Sequence, residues 1–464
     1  MYAMEEKRNS FSGSIGFVLA AAGSAVGLGN IWRFPYLAAK DGGGLFLLVY
    51  ILLAVTFGFT LLVTEVSIGR KTKQSSLTAY GVLHKKWGWI GAFSAAVPFL
   101  ILPYYCIIGG WVLKYCVSFL FGQGLRAAED GYFTGFITHQ FEPILYDAIF
   151  LGITCLVVFR GVNKGIESLS RILMPVLLIM IIGISIFSLT LGEDAGPAGR
   201  TGWQGFLMYV VPEGSKKSFH DIFVIIMDAM GQLFYSISVA MGIMVTYGSY
   251  YKDDDNLVKS VNQIEFFDTF VAFLAGVMII PAVYVYMGEE GMTAGPGLMF
   301  VAMPKVFAQM GAFGSIVGTA FFVMVFFAAL TSSVSVLEAV VSGIMDKTGV
   351  SRRKGTLIEG LIAFAIGIVI CLGYNLLYFD APLPNGVNAQ ILDIVDYVSN
   401  NILMPIVAIG TCILIGWVVK PKTVIEEATK NGEHFDRKLL YIVMIRVAAP
   451  ILLFVLLLGS LGIL

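Results

Sequence analysis

The chain of 464 residues is strongly apolar: 57% of its residues are hydrophobic and 13% are charged, whereas an average soluble domain carries about 25% charged residues. The formal net charge is -1, and no basic stripe lies outside short loops, which excludes a nucleic-acid-binding protein. This composition predicts a polytopic membrane protein with the lipid bilayer as its main partner.

Eleven apolar segments are predicted to cross a bilayer, for which a helix needs about 20 residues, although the fourth is short. We number them spans 1 to 11; they cover residues 13–38, 43–69, 88–121, 145–160, 168–191, 221–249, 262–287, 313–345, 357–379, 390–419 and 438–463. Lysine and arginine concentrate before span 1 and after the even-numbered spans, although three aspartates, 253–255, interrupt this pattern after span 6. Basic loops are typical of the cytoplasmic side. We therefore expect a cytoplasmic N-terminus and an extracellular C-terminus.

Span 1 contains residue types that hydrocarbon does not tolerate on an uninterrupted helix. The run GSAVGLGNIWRFPY, residues 23–36, holds three glycines, an asparagine, an arginine and a proline. Lipid offers no partner for a free backbone group or a cation. We therefore predict a broken helix that lines a binding site.

Span 6 has a similar interruption. The run QLFYSISVAMG, residues 232–242, mixes an amide, hydroxyls and small residues into an apolar segment. Two interrupted helices at corresponding positions of two five-helix halves are typical of an inverted-repeat transporter with its site near the midplane. An intramembrane enzyme is disfavoured because the four histidines all lie at or outside span ends: His84, His139, His220 and His434.

From Arg8 through span 10 the chain resembles the neurotransmitter:sodium symporter family. Besides the run in span 1, matching motifs occur in the family's order: Gly42-Gly43-Gly44, Glu65 in TEVSIGR, Tyr104-Tyr105, QLFYSIS and Leu330-Thr331-Ser332-Ser333. The resemblance implies an all-α integral membrane protein of the LeuT fold, a 5+5 inverted repeat with discontinuous helices 1 and 6, plus an eleventh helix as in a bacterial subgroup. The expected parts are a tail (1–12), a first repeat (13–191), an extracellular loop (192–220), a second repeat (221–419), and a cytoplasmic loop with the eleventh helix (420–464).

The resemblance also implies a function. We expect a symporter of the cell membrane, not an enzyme, in which inward sodium movement drives uptake of a neutral L-amino acid by alternating access, without an organic cofactor. An amino-acid sensor or a channel-like protein of the same fold is the alternative. A channel would be built from repeated rings rather than from an enclosed site.

Two sodium sites follow from the resemblance, and both consist of oxygens, which a hard cation prefers. The first consists of Ala25, Asn30, Ser236 and Asp268, completed by the substrate carboxylate. The second consists of the carbonyls of Gly23, Val26 and Ala328 and the hydroxyls of Thr331 and Ser332. Residue types alone equally allow the hydroxyls in span 8 to bond back to their own helix. Many animal members have asparagine at the position of Asp268 and need chloride nearby, so an ionised Asp268 predicts chloride-independent transport.

The resemblance places the substrate between spans 1, 3, 6 and 8. A half-helix N-terminus near Leu28 and Gly29 suits an α-carboxylate, and Tyr105 would donate a hydrogen bond to the same group. The matched substrate positions are Ala25, Leu28, Gly29, Ile101, Tyr105, Tyr235, Ser236, Ser238, Ala240, Met241, Ser332 and Val336. Because none is charged, we expect a hydrophobic or small neutral substrate. Tyr235 and Ala240 replace the family's usual phenylalanine and glycine, which favours a reshaped pocket for side chains between alanine and leucine in size.

Gates and supporting residues are also implied by the resemblance. Arg33 and Asp396 are expected to close the outer side. Arg8 and Asp346 are expected to pair on the inner side, where Phe11 and Tyr250 cover them.

Three further positions are expected to support the backbone. Glu65 would bond the unwound backbone of spans 1 and 6. Gly165 and Pro175 have a spacing at which some bacterial members unwind span 5 to admit water to the second sodium, since proline removes a helix hydrogen bond. An ordinary loop glycine followed by a kink proline is the alternative.

Overall fold

The computed structural model describes residues 10–212, 217–292 and 295–463. Within these ranges nine helices are long and apolar enough to cross a membrane, and a further span is a pair of helices, Ser14–Ala25 and Gly29–Lys40, bent by 55°. The nine are Gly44–Thr72, Lys85–Leu120, Glu142–Phe159, Val162–Leu189, Leu257–Met287, Phe313–Thr348, Arg352–Leu372, Ile391–Val418 and Lys438–Ser460. The predicted span 6 consists of two helices, Phe219–Ser236 and Ile243–Ser249. These elements account for all eleven predicted spans.

Span 1 breaks because its backbone leaves the helical region at Val26, with φ -72° and ψ 86°. It resumes as a π-helical turn, Gly29–Arg33, followed by the α-helix Phe34–Lys40. Pro35 lies inside the continuous helix Gly29–Lys40, just after the π-helical turn, and removes one backbone donor there. The break therefore requires only a short local change of backbone direction.

Span 6 breaks over residues 237–242, where the backbone takes a different form. Ser238, Ala240 and Gly242 have φ values of 54°, 60° and 72°. Glycine adopts this left-handed region freely, whereas a residue with a Cβ pays about 1–2 kcal/mol for it. Two of the three positions are not glycine, so contacts from neighbouring spans must hold this segment.

Shorter elements lie at both ends of the spans. We call the end that carries residues 10–13 the inner side and the opposite end the outer side. The outer side carries the helices Gly124–Ala128, Tyr132–Ile137, Gly202–Val210 and Leu298–Gln309, and the antiparallel strands Ala381–Pro382 and Asn388–Ala389. The inner side carries the helices Ser76–Leu83 and Lys422–Ala428.

The surface of the spans is apolar, as contact with lipid requires. Ile179, Leu361 and Ile451, on spans 5, 9 and 11, are exposed to 70%, 62% and 57%. Such side chains on a soluble surface would promote association, but in hydrocarbon they cost nothing. Polar residues are instead buried between spans 1, 6, 7 and 8, where the candidate site lies.

Candidate functional site

The breaks in spans 1 and 6 border a small cavity of about 30 Å³. It is lined by Ser24, Ala25, Gly27, Leu28, Gly29, Asn30, Ile101, Tyr105, Tyr235, Ser236, Ser238, Met241, Ile243, Ser332 and Val336. None of these side chains carries a formal charge. Eleven of the twelve predicted substrate residues are among them, and Ala240 is not.

Asp268 of span 7 joins the two broken spans in a buried polar cluster. Its Oδ1 accepts hydrogen bonds from Asn30 Nδ2 at 2.8 Å and from Ser236 Oγ at 2.6 Å. Tyr50 of span 2, which the sequence did not single out, donates its hydroxyl to Oδ2 at 3.3 Å. An ionised carboxylate only accepts hydrogen bonds, so a set of donors around it suits the charged form. A buried tyrosine in an apolar span gives no signal beyond packing, and Tyr50 was therefore missed.

The same cluster presents oxygens to the cavity. Asn30 Oδ1 accepts from Ser236 Oγ at 3.1 Å and from the Gly27 backbone at 3.4 Å. Ala25 lines the cavity beside them. No group of three or more His, Cys, Asp or Glu side chains within the described ranges is arranged to hold a metal ion. Any cation bound in this region of the structure therefore depends on amide, hydroxyl and carbonyl oxygens together with one carboxylate.

The predicted second sodium site lies where span 8 meets the break in span 1. Ser332 Oγ donates to the carbonyls of Ser24 at 3.0 Å and Gly23 at 3.4 Å. Thr331 Oγ1 instead bonds back to its own helix, at Phe327 O (3.0 Å) and Ala328 O (3.1 Å). The two hydroxyls thus behave differently.

Two further members of the predicted second set, Val26 and Ala328, are fully buried. The structure therefore brings Ser332 to the carbonyl of Gly23 and leaves Thr331 bonded within span 8. Because the Thr331 hydroxyl only donates in these bonds, its oxygen lone pairs stay available as acceptors.

The glycines of span 1 allow close approach by neighbouring side chains. A Cβ on Gly27 would lie 2.9 Å from Ser332 Oγ, and a Cβ on Gly29 would lie 2.9 Å from the ring of Tyr235. The Leu28 N–H donates to the Tyr105 hydroxyl across 3.5 Å. An amide and a hydroxyl therefore face one end of the cavity, where a carboxylate would find donors.

The break in span 6 is held by polar groups from other spans. Glu65 Oε1 of span 2 accepts the Ala240 N–H at 2.6 Å, while its Oε2 has no partner among the described residues. Ser238 Oγ donates to the carbonyl of Ser24 at 3.1 Å. Ala240 is thus an anchored backbone position rather than part of the cavity wall. Ser24 was not predicted, although its hydroxyl inside an apolar run was the available signal.

On the outer side, Asp396 is near Arg33 and interacts with it electrostatically, but no direct ion pair joins them in the described structure. Asp396 Oδ1 instead accepts from Asn400 Nδ2 at 2.6 Å, and Asn400 also donates to the Tyr104 hydroxyl at 3.1 Å. Arg33 and Asp396, the predicted gate partners, are therefore close to each other but form no direct ion pair in the described structure.

On the inner side, Arg8 lies outside the described residues. Phe11 is buried, its ring centroid is 5.6 Å from that of Tyr247, and its N–H donates to Tyr250 O at 3.3 Å. Asp346 Oδ2 accepts the Ser75 N–H at 2.6 Å. Phe11 thus packs over the inner half of span 6.

Span 5 is a continuous helix through both Gly165 and Pro175. Gly165 lies in a π-helical turn, Val162–Glu167, where a Cβ would overlap the carbonyl of Val157. Pro175 lies inside the α-helix Ser168–Leu189. The two residues predicted to permit unwinding are therefore both wound in this structure.

Comparison with known proteins identifies the fold and the family. The sequence pattern of the sodium:neurotransmitter symporter family matches residues 8–126 and 142–463. The chain is 34% identical to the uncharacterized sodium-dependent transporter YhdH of Bacillus subtilis (strain 168), over 99% of both chains. It is 30% identical to the uncharacterized sodium-dependent transporter MJ1319 of Methanocaldococcus jannaschii, over 92% of this chain and 85% of that protein.

The structure is also similar to the crystal structure of MhsT in complex with L-phenylalanine. The TM-score is 0.85 at 34% identity, covering 98% of this chain and 100% of that one. This likeness confirms the LeuT fold, and the family consists of transporters rather than enzymes. With its family pattern matched along nearly the whole sequence, the chain belongs to the sodium:neurotransmitter symporter family.

Proposed function

We propose that the protein takes up a neutral L-amino acid with a hydrophobic or small side chain, driven by inward sodium movement across the cell membrane. The observation that carries this proposal is the cavity between the two breaks. The Leu28 amide and the Tyr105 hydroxyl face one part of it, while Ile101, Met241 and Val336 supply apolar wall. A charged side chain in this cavity would lack a partner. The L-phenylalanine in the MhsT complex supports the same class of substrate.

We further propose that sodium is a co-transported substrate at two sites. The cluster of Asn30, Ser236 and Asp268 supports the first, because it concentrates oxygens and one carboxylate beside the cavity. The carbonyl of Gly23 beside Ser332 supports the second. Both sets include the break in span 1, so binding of sodium and of substrate would be coupled through the same segment.

Chloride independence is a separate part of the proposal. Asp268 accepts hydrogen bonds from three side chains, which suits the ionised form of its carboxylate at the position where chloride-dependent members need an added anion. Sodium-driven uptake in proteoliposomes should therefore be the same in chloride and in gluconate. Uptake that falls when gluconate replaces chloride would contradict this part alone.

Alternating access would close the two sides in turn. We propose that Arg33 and Asp396 move into contact when the outer side closes, and that Arg8 and Asp346 pair on the inner side, which would be cytoplasmic. Exposed ion pairs contribute only about 0–1 kcal/mol, so they can break without locking one state. Phe11 and Tyr250 would move with the inner half of span 6.

The decisive experiment is a competition panel of the twenty amino acids against sodium-dependent binding by the purified protein. Neutral hydrophobic and small amino acids should compete, and charged ones should not. Alanine, valine and leucine are expected to compete better than tryptophan; the reverse order would contradict the size preference while leaving the neutral class intact. Counterflow of labelled amino acid separates a symporter from a sensor, which binds without exchange, and saturable uptake separates it from a channel.

A further inference from the structure

Arg70, at the inner end of span 2, is an arginine whose side chain is fully buried. Its Nε donates to Glu427 Oε1 at 2.8 Å, and its Nη2 donates to the backbone carbonyl of the same residue. Its Nη1 donates to Asp255 O at 3.0 Å, and its guanidinium lies 5.7 Å from the ring centroid of Tyr251. A buried guanidinium needs several acceptors in its plane, and these come from two different loops.

The first of these loops follows the inner half of span 6. The helix Ile243–Ser249 ends just before Tyr251, and Arg70 holds the chain again at Asp255. Lys73, which directly follows the helix of span 2, donates to Tyr251 O at 2.8 Å. Span 2 is therefore bonded to both ends of this loop, and the loop is continuous with a helix that borders the cavity.

The second loop joins spans 10 and 11. Besides Glu427, it supplies Lys430, which pairs with Asp253 at 2.7 Å and with Glu427 at 3.0 Å. Lys73 pairs with the same Asp253 at 3.0 Å. Although burial opposes it, hydrogen bonds from Lys430 and Lys73 lower the pKa of Asp253. Asp253, one of the three aspartates that interrupt the basic loop pattern after span 6, therefore pairs with both Lys73 and Lys430.

A second arginine anchors the same loop near the start of span 11. Arg437 lies 3.8 Å from the ring centroid of Phe59 on span 2 and pairs with Glu265 on span 7 at 3.3 Å. The segment 422–437 is therefore fixed to spans 2 and 7 as well as to the loop after span 6. Spans 2, 6 and 7 also supply Tyr50, Ser236 and Asp268 to the cluster described above.

We propose that Arg70 is a positioning residue for transport: with Glu427 it clamps the loop after span 6 and thereby holds the inner half of that span closed. Opening of the inner side then requires the clamp to loosen or to move as a unit with segment 422–437. Arg70 does not line the cavity, so its effect on substrate would be indirect. This inference rests on the alternating access proposed above.

Glu427→Gln tests the clamp, and the chain offers a closely matched control. Glu426 is the neighbouring residue on the same helix, and its pair with Lys422, at 3.4 Å, is exposed on both sides. Glu426→Gln therefore removes the same charge without touching Arg70. Arg70→Lys is a second test, because a lysine ammonium keeps the charge and three donors but lacks the planar fork by which Nε, Nη1 and Nη2 reach acceptors in two loops.

The reporter is a single cysteine, Ser249→Cys, at the inner end of span 6. Ser249 is buried, and its hydroxyl bonds back to Thr246 O, so cysteine is a conservative replacement. Full-length protein in proteoliposomes is treated from the inner side with a membrane-impermeant maleimide, and protein with its native cysteines only gives the background. In parallel, the maximal rate and the KM of sodium-driven uptake are measured.

When Glu427→Gln or Arg70→Lys is added to the Ser249→Cys protein, the maleimide should react with the cysteine at position 249 about tenfold faster than in Ser249→Cys alone. A change of this size is typical of coupling between distant sites. Both substitutions should change the maximal rate of uptake with little change in KM, whereas Glu426→Gln should match the parent in both. Labelling of Glu427→Gln at the parent rate would overturn the inference.

Two controls keep the result interpretable. A monodisperse size-exclusion profile and unaltered sodium-dependent amino-acid binding in detergent show that a variant is folded. If the parent itself binds no amino acid, the proposed function fails, but the labelling rates still test the clamp.

Discussion

The breaks in spans 1 and 6 face the same cavity, yet they are built differently. Span 1 leaves the helix at Val26 and resumes at Gly29 without a left-handed residue between them. Span 6 stays unwound for six residues, 237–242, and two non-glycine residues there, Ser238 and Ala240, have positive φ. The first break is a local bend, whereas the second is a strained segment fixed by Glu65 and Ser24.

This difference indicates which substitutions should disturb each break. Span 1 supplies carbonyls and the Asn30 amide from its own sequence, and hydroxyls of Ser238 and Ser332 donate to those carbonyls. The form of span 6 depends on groups that it does not contain. Substitutions in spans 2 and 7 should therefore disturb span 6 as strongly as substitutions within it.

Asp268→Asn should have the largest effect, because Asp268 accepts from Asn30 of span 1 and Ser236 of span 6. Losing hydrogen bonds to a charged acceptor costs about 1.5–3 kcal/mol, equivalent to about 10- to 100-fold weaker sodium binding. Sodium titration of labelled amino-acid binding measures this. Asp254→Asn, in the loop after span 6, is the control. An unchanged sodium dependence would show that the carboxylate does not join the two breaks functionally.

Glu65→Ala should have the next largest effect and should act on span 6 alone. It leaves the Ala240 N–H buried without an acceptor, which costs about 1–3 kcal/mol. We expect a lower Tm in detergent and weaker amino-acid binding. Glu65→Gln keeps an acceptor oxygen and should lose less. Equal losses in the two variants would mean that the charge of Glu65, rather than its hydrogen bond, supports the segment.

The same contrast explains what the sequence could predict. The break in span 1 is predicted by residue types that are costly in hydrocarbon. Hydropathy alone predicts the eleven spans, because each span must be long and apolar. The anchors of span 6 are tertiary: nothing in the sequence pairs Glu65 with the Ala240 backbone rather than with both broken spans. Tyr50 and Ser24 were missed for the same reason, since a hydroxyl in an apolar run does not reveal which carbonyl or carboxylate it faces.

The outer halves of spans 1 and 6 are joined by an ion pair, and the carboxyl group of Asp41 beside this pair should titrate. Lys40 pairs with Asp228 at 2.7 Å and lies 3.7 Å from Asp41. Burial, and then the charge of Asp228, raise the pKa of Asp41 from 3.8 to about 6. A raised carboxyl pKa favours the neutral form in the folded state, so stability falls as pH rises from about 3.8 to about 6.

Asp41→Asn removes this loss. The variant should be more stable than the parent at about pH 7, and the difference should shrink towards about pH 4, where the folded-state carboxyl is neutral and only about half of the unfolded-state carboxyl is ionised. Thermal unfolding in detergent at the two pH values measures it. A difference that is equal at both would show that Asp41 is not the titrating group.

Ala240→Gly should have the smallest effect and tests the strain in span 6 directly. Glycine at position 240 removes the cost of a left-handed φ, about 1–2 kcal/mol, which stabilises the folded protein. It also increases the conformational entropy of the unfolded chain, which favours unfolding by about 0.4–1 kcal/mol. The net expectation is a stabilisation of about 1 kcal/mol or less, seen as a slightly raised Tm. Ala240→Val should destabilise, because a β-branched residue tolerates positive φ worse than alanine. If glycine lowers the Tm, the methyl group of Ala240 contributes more by packing than the backbone loses by strain, and the break in span 6 would be held partly by its own side chains rather than by Glu65 and Ser24 alone.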